Sequence, residues 1–100
     1  MKIIWSELAV AKLEEFADYI ALDKPTAALK WIKDIQKIVS NISNFPEAGR
    51  KVPEINRGDL REIIEGNYRI IYKIEPKQIS ILTIRHCSQL LKDSDINLKN

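Results

Sequence analysis

The sequence predicts an α+β fold in which a helical hairpin packs on one face of a small antiparallel sheet, and three observations carry that prediction. The run from Leu60 to His86, LREIIEGNYRIIYKIEPKQISILTIRH, is β-rich and is interrupted only by Gly66-Asn67 and by Glu75-Pro76-Lys77-Gln78. The run from Ser6 to Phe45 repeats its apolar residues at helical spacing, with one break at Asp23-Lys24-Pro25. Both faces of the β-rich run are largely apolar, so the sheet needs more cover than one solvated face would leave it.

In chain order, the first helix is predicted from Ser6 to about Ala21. Its apolar residues are Ala9, Val10, Leu13, Phe16, Ala17 and Ile20, and Glu14, Glu15 and Asp18 form a solvated outer face. Pro25 opens a second helix, where a proline is tolerated in the first turn, and Ala28, Trp31, Ile32, Ile35, Ile38, Val39 and Ile42 mark its buried stripe up to Phe45-Pro46. The segment from Phe45 to Asp59 carries two prolines and a glycine before Ile55 and reads as an ordered surface connection.

Three strands follow as a meander. With Gly66-Asn67 as a two-residue turn, Glu65 faces Tyr68, Ile63 faces Ile70 and Arg61 faces Tyr72. If Ile74 pairs with Ile79 across the second loop, strict alternation adds Ile79, Ile81, Thr83 and Arg85 to that face. The opposite face then holds Leu60, Glu62, Ile64, Arg69, Ile71, Lys73, Ser80, Leu82, Ile84 and His86. A two-helix hairpin covers one face only, the one bearing Tyr68, Ile70 and Tyr72. The other face is expected to form a partly apolar, partly basic groove that awaits a partner.

Composition fits one domain. A chain of 100 residues, 45% hydrophobic, supports a single modest core. We expect that domain over residues 1–91, followed by a polar tail over residues 92–100. No stretch approaches the roughly 20 apolar residues of a membrane span, and no basic region precedes an apolar signal core, so a cytoplasmic location without membrane contact is expected. Cys87 is the only cysteine and His86 the only histidine, which excludes an internal disulfide and argues against a metal site; no cofactor is expected. Residues 50–86 carry eight Lys/Arg against five Asp/Glu, whereas residues 1–49 carry six against seven. All five arginines, Arg50, Arg57, Arg61, Arg69 and Arg85, lie in the basic half, which suits either an anionic partner or a solvated rim.

The order of motifs along the chain carries a resemblance. Trp5, Tyr19-Ile20-Ala21 with Asp23 and Pro25, Ala27-Ala28 and Trp31 come first; Phe45-Pro46, Gly49-Arg50, Val52-Pro53-Glu54 and Arg61-Glu62 follow. Gly66-Asn67-Tyr68-Arg69-Ile70-Ile71-Tyr72 and Ile84-Arg85-His86 complete the series, and together they resemble the RelE/ParE superfamily of toxins from bacterial type II toxin–antitoxin (plasmid stabilisation) systems. The resemblance implies a β-α-α-β-β-β fold with residues 2–5 as the first strand, and hence a mainly antiparallel four-stranded sheet. It also implies a cognate antitoxin that fills the groove lined by Glu62, Ile64, Arg69, Ile71, Lys73, Leu82, Ile84 and His86, and that contacts operator DNA through its own N-terminal domain.

Two activities compete within the superfamily. RelE-like members cut mRNA on the ribosome without a metal, which requires a base, an acid and a cation for the phosphorane charge. Arg69 and His86, placed by the predicted register on one face, are the candidate catalytic pair for that chemistry. ParE-like members instead poison DNA gyrase by binding, with Arg50 and Lys51 as candidate target contacts. Glu62 opposes an approaching phosphate and is better suited to pair with Arg69 or Lys73, and the catalytic C-terminal tyrosine of RelE has no counterpart in Gln89-Leu90-Leu91. The Phe45–Glu54 connection and the Arg85-His86 ending resemble ParE members more closely, so the expected activity is gyrase poisoning. An inactive relic that only binds antitoxin is the third reading.

Aromatic residues read first as core. Trp5 and Trp31 fall on apolar positions, and Tyr68 and Tyr72 share the helix-covered face, which disfavours a base-stacking role. Cys87 has no helix N-terminus or partner base predicted beside it that would make it a reactive thiolate.

Overall fold

The computed structural model describes residues 1–91. The chain runs through strand β1 (Lys2–Trp5), helices α1 (Glu7–Asp23) and α2 (Pro25–Asn44), and a short 3-10 turn (Pro46–Ala48). Strands β2 (Arg50–Lys51), β3 (Leu60–Glu65), β4 (Tyr68–Ile74) and β5 (Gln78–His86) follow. The sheet has five strands in the order β1-β5-β4-β3-β2, one more than expected. The extra strand, β2, lies inside what sequence patterning reads as connection. Two residues are too short to show a period, and β2 exists only because Arg50 and Lys51 pair with Glu62 and Arg61.

Ser6 starts α1 by accepting the Ala9 N–H on its side-chain oxygen at 2.9 Å. The same hydroxyl donates to the Leu82 carbonyl at 2.8 Å, which ties the helix start to β5. Lys24 alone separates the helices: α1 runs on past Ala21, its expected end, to Asp23, and Pro25 opens α2 as expected. α2 ends at Asn44 because a residue before proline disfavours the helical region. Ala9 and Ala17 of α1 and Ala28, Trp31, Ile35, Val39 and Ile42 of α2 are buried against the sheet. They join Tyr68, Ile70, Tyr72, Ile79, Ile81 and Ile84 in the main core, with Trp5 packed at its margin. Tyr68 lies at the centre of a ring cluster, 4.9 Å from Phe16 and 5.0 Å from Trp31 between centroids.

The hairpin register matches the expected one from Glu65↔Tyr68 through Arg61↔Tyr72, with Gly66 at φ 59° in the turn. Ile74 pairs with Ile79, also as expected. Between those ends, however, a β-bulge intervenes: Tyr72 pairs with Ile81 but Ile71 pairs with Thr83, so Leu82 is the additional residue. Beyond it the alternation of β5 inverts. Ile84 and His86 face the helices opposite Ile70 and Tyr68, and Arg85 faces Arg69.

The second face is also not left bare. Val52, Leu60 and Ile71 are fully buried in a smaller apolar cluster with Ile55, Leu82 and Leu91 around them. The chain's own loop after β2 and its residue 91 therefore supply cover that two helices could not. Among the described residues, no helix is long and apolar enough to cross a membrane.

Candidate functional site

Four charged side chains form an alternating ladder across this second face. Arg69 of β4 donates through Nε to Glu62 Oε1 at 2.8 Å, and its Nη2 lies 2.6 Å from the same oxygen. Its terminal fork clasps Glu54, with Nη1 to Oε2 at 2.8 Å and Nη2 to Oε1 at 2.7 Å. Glu62 then reaches Arg50 through its other oxygen, 2.7 Å from Nε and 2.6 Å from Nη2. The Glu62 side chain is 0% exposed and that of Arg69 7%, whereas that of Arg50 is 63% exposed.

The ladder is positioned by pairing rather than by sequence neighbourhood. β2 pairs Arg50 with Glu62, and β3 and β4 are in register through Glu62↔Ile71 and Ile64↔Arg69, which sets Glu62 diagonal to Arg69 on one face. Glu54 comes from the loop after β2, where Asn56 takes a left-handed turn at φ 54° and donates its N–H to the Val52 carbonyl at 2.7 Å. The hydrogen bonds from Arg69 hold the Glu54 carboxyl at a pKa of about 2, well below its ordinary value. Reciprocally, Glu54 first and then Glu62 push the Arg69 guanidinium further into its charged form.

The ladder, with Arg85 of β5 beside it, also anchors the segment that follows β5. Arg69 Nη1 donates to the Gln89 carbonyl at 3.3 Å, Arg85 Nη2 to the Leu90 carbonyl at 3.0 Å, and the Leu91 N–H to Glu54 Oε2 at 3.0 Å. Beside these contacts a cavity of ≈ 410 Å³ remains open, lined by Arg50, Pro53, Glu54, Ile64, Arg69, Cys87 and Leu90. Ile64 is 44% and Leu90 75% exposed there.

The predicted groove residues thus divide. Glu62, Ile64 and Arg69 come together at or beside the cavity, and Arg50 joins them. Ile71 is sealed in the smaller cluster, with Leu82 at its margin, and Lys73 lies farther along β4, paired with Leu60 and Ser80. Ile84 and His86 do not belong to this face at all, because the bulge at Leu82 turns them to the helix side. Ile84 is in the main core, and the His86 ring stands edge-on to Tyr68 at 5.4 Å. The pairing of Arg69 with His86 as a candidate catalytic couple is therefore corrected: the two side chains project from opposite faces. Lys51 neighbours Arg61 at the sheet edge and is exposed.

Sequence reasoning missed Glu54, the residue that occupies the Arg69 fork. Its only signal is a carboxylate in a proline-bounded loop, and nothing local in that pattern indicates which strand it meets.

The fold coincides with that of one class of protein. Residues 3–91 match the family model of the ParE toxin of the type II toxin–antitoxin system, parDE, and the chain belongs to that family. Among relatives, it is similar to a Sinorhizobium fredii (strain NBRC 101917 / NGR234) protein named as a predicted toxin, Y4kP. The two are 30% identical over 90 residues, which span 88% of this chain and 90% of that protein. It also superposes on a chain of a solved chromosomal ParDE TA system from P. aeruginosa, with a TM-score of 0.70 and 27% identity, covering 86% of this chain and 95% of the other. The chain is accordingly a ParE-type toxin of a type II toxin–antitoxin system, and the family implies an antitoxin partner.

Proposed function

We propose that this toxin arrests growth by binding and poisoning DNA gyrase, and that a cognate antitoxin neutralises it by occupying the open part of the sheet face beside Arg50, Ile64 and Leu90. The observation that carries the first half is the state of Arg69. Both edges of its guanidinium are held by carboxylates, Glu62 on one and Glu54 on the other, so no edge is left to stabilise a phosphorane. With His86 on the opposite face, Arg69 and His86 do not come together as a couple for metal-free RNA cleavage, and action through a binding surface is the reading this arrangement favours. Support for the second half is the cavity itself, with partly bare Ile64 and Leu90 beside a half-engaged arginine. Residues 1–91 are read as a single toxin domain. The tail assigned to residues 92–100 lies outside the described residues.

Induction of the toxin alone is expected to halt growth, and coexpression of the antitoxin encoded beside it to restore growth. Purified toxin is expected to block supercoiling by gyrase and to leave ribosome-bound mRNA intact. Transcript cleavage that disappears in folded Arg69→Ala and His86→Ala variants would overturn the gyrase reading. Unimpaired growth on induction would indicate a relic.

A further inference from the structure

The two arginines that flank Glu62 are not equivalent. In Arg69 the side edge (Nε and Nη2) meets Glu62 and the terminal fork (Nη1 and Nη2) meets Glu54, so both edges carry a carboxylate. In Arg50 the side edge meets Glu62 in the same way, but among the described residues nothing engages Nη1. The series Glu54–Arg69–Glu62–Arg50 alternates in sign and stops on a cation at the mouth of the cavity, with 63% of that side chain exposed.

We propose that the outer fork of Arg50 is the recognition point for a carboxylate on an acidic, partly apolar segment of the antitoxin, whose apolar side chains cover Ile64 and Leu90. This rests on the antitoxin reading given above and adds the chemistry by which the partner is chosen. Glu62 is fully buried and holds the guanidinium in place, so Arg50 is oriented before the partner arrives and little rotamer freedom remains to be lost on binding. A fork of this kind accepts a carboxylate through two parallel hydrogen bonds. Nucleic acid fits the place poorly. Glu54 lines the cavity and Ile64 and Leu90 form its apolar wall, so a polyphosphate would meet a carboxylate and apolar side chains beside a single available fork. Arg69 is then a positioning residue: it locks Glu62 and Glu54, and with them the loop after β2 and residues 89–91 that frame the cavity.

The test uses the full chain and the antitoxin encoded beside it. Titration calorimetry at about 50 mM and about 300 mM salt compares wild type with Arg50→Ala, Arg50→Lys and, as an exposed control in the β4–β5 loop, Lys77→Ala. Folding is checked by thermal melting. The expected result is that Arg50→Ala weakens binding by about tenfold or more at low salt and less at high salt, that Arg50→Lys recovers only part of the loss, and that Lys77→Ala stays within about twofold. Cys87, the only cysteine in the chain, lines the same cavity and is exposed, so its reaction with a thiol reagent is expected to slow in the wild-type complex. That readout, together with Arg50→Lys, decides the matter if Arg50→Ala fails to fold. Wild-type binding that Arg50→Ala leaves within about twofold, or a Cys87 unprotected in the complex, overturns the inference while the antitoxin reading stands. Absence of wild-type binding overturns both. Binding of a short single-stranded RNA that requires Arg50, in place of the antitoxin, also overturns it.

Discussion

Tyr72 shows how much a single hydroxyl can organise. Its oxygen donates to the Pro46 carbonyl at 2.6 Å and accepts the Gly49 N–H at 2.9 Å, so one fully buried ring pins both the 3-10 turn and the start of β2. Burial raises the phenol's pKa, which keeps it protonated for that donation. Gly49 is small for the same reason: an added Cβ there would lie 2.6 Å from the Glu62 carbonyl and 2.7 Å from the tyrosine oxygen. Tyr72→Phe strands a buried N–H and a carbonyl, and the expected loss is about 1–3 kcal/mol of stability. Thermal melting checks it, each kcal/mol being worth roughly 4–8 °C in a domain of this size; an unchanged Tm would show that the turn is held by something else. From the sequence, Tyr72 reads as a core residue on the helix-covered face. Its partners at Pro46 and Gly49 were not legible, because a hydroxyl's long-range acceptor leaves no trace in local pattern.

At the scale of the element, β5 separates what patterning reveals from what it hides. The β3–β4 register was legible because Gly66-Asn67 dictates the turn and the turn dictates every pair behind it. The bulge was not. Ile79, Ile81, Leu82 and Ile84 are all apolar, so a one-residue slip in phase changes which side each occupies without changing the apolar pattern. The inverted phase carries Ile84 and His86 to the helix side, so the fold does not set His86 beside Arg69. The Leu82 carbonyl at the bulge is satisfied by the Ser6 hydroxyl, which simultaneously caps α1. Ser6→Ala removes both bonds. The expected cost is about 1–2 kcal/mol, read from denaturant midpoints, and it should exceed that of an ordinary cap because a sheet carbonyl also loses its partner. A cost indistinguishable from zero would mean that the bulge needs no such tie. For Glu62, by contrast, the sequence offers Arg69 or Lys73 as partner, and the diagonal placement on adjacent strands brings it to Arg69.

For the whole molecule, the Glu54 carboxylate joins three separate segments: its own loop, β4 through Arg69, and the residues after β5 through the Leu91 N–H. Its pKa of about 2 in the folded chain lies below the ordinary 4.5, so folding opposes its protonation. The stability it contributes is fully present above about pH 4.5 and is lost as pH falls toward about 2. Urea midpoints measured from about pH 6 downward should fall across that window in wild type and fall less steeply in Glu54→Gln; equal slopes would show that other carboxylates govern acid unfolding. The sheet itself closes over the longest span the chain offers. β1 pairs in parallel with β5, Lys2 beside Gln78 and Trp5 beside Ile81, so the first strand made has no lateral neighbour until the last has been synthesised. On a translating ribosome, where residues emerge at roughly 5–20 per second, the helical hairpin can form early while its sheet stays unfinished for seconds. A chain interrupted before residue 78 would leave β1 unpaired and the core without Ile79, Ile81 and Ile84. Aborted translation products of this gene should therefore be harmless to their host and readily degraded.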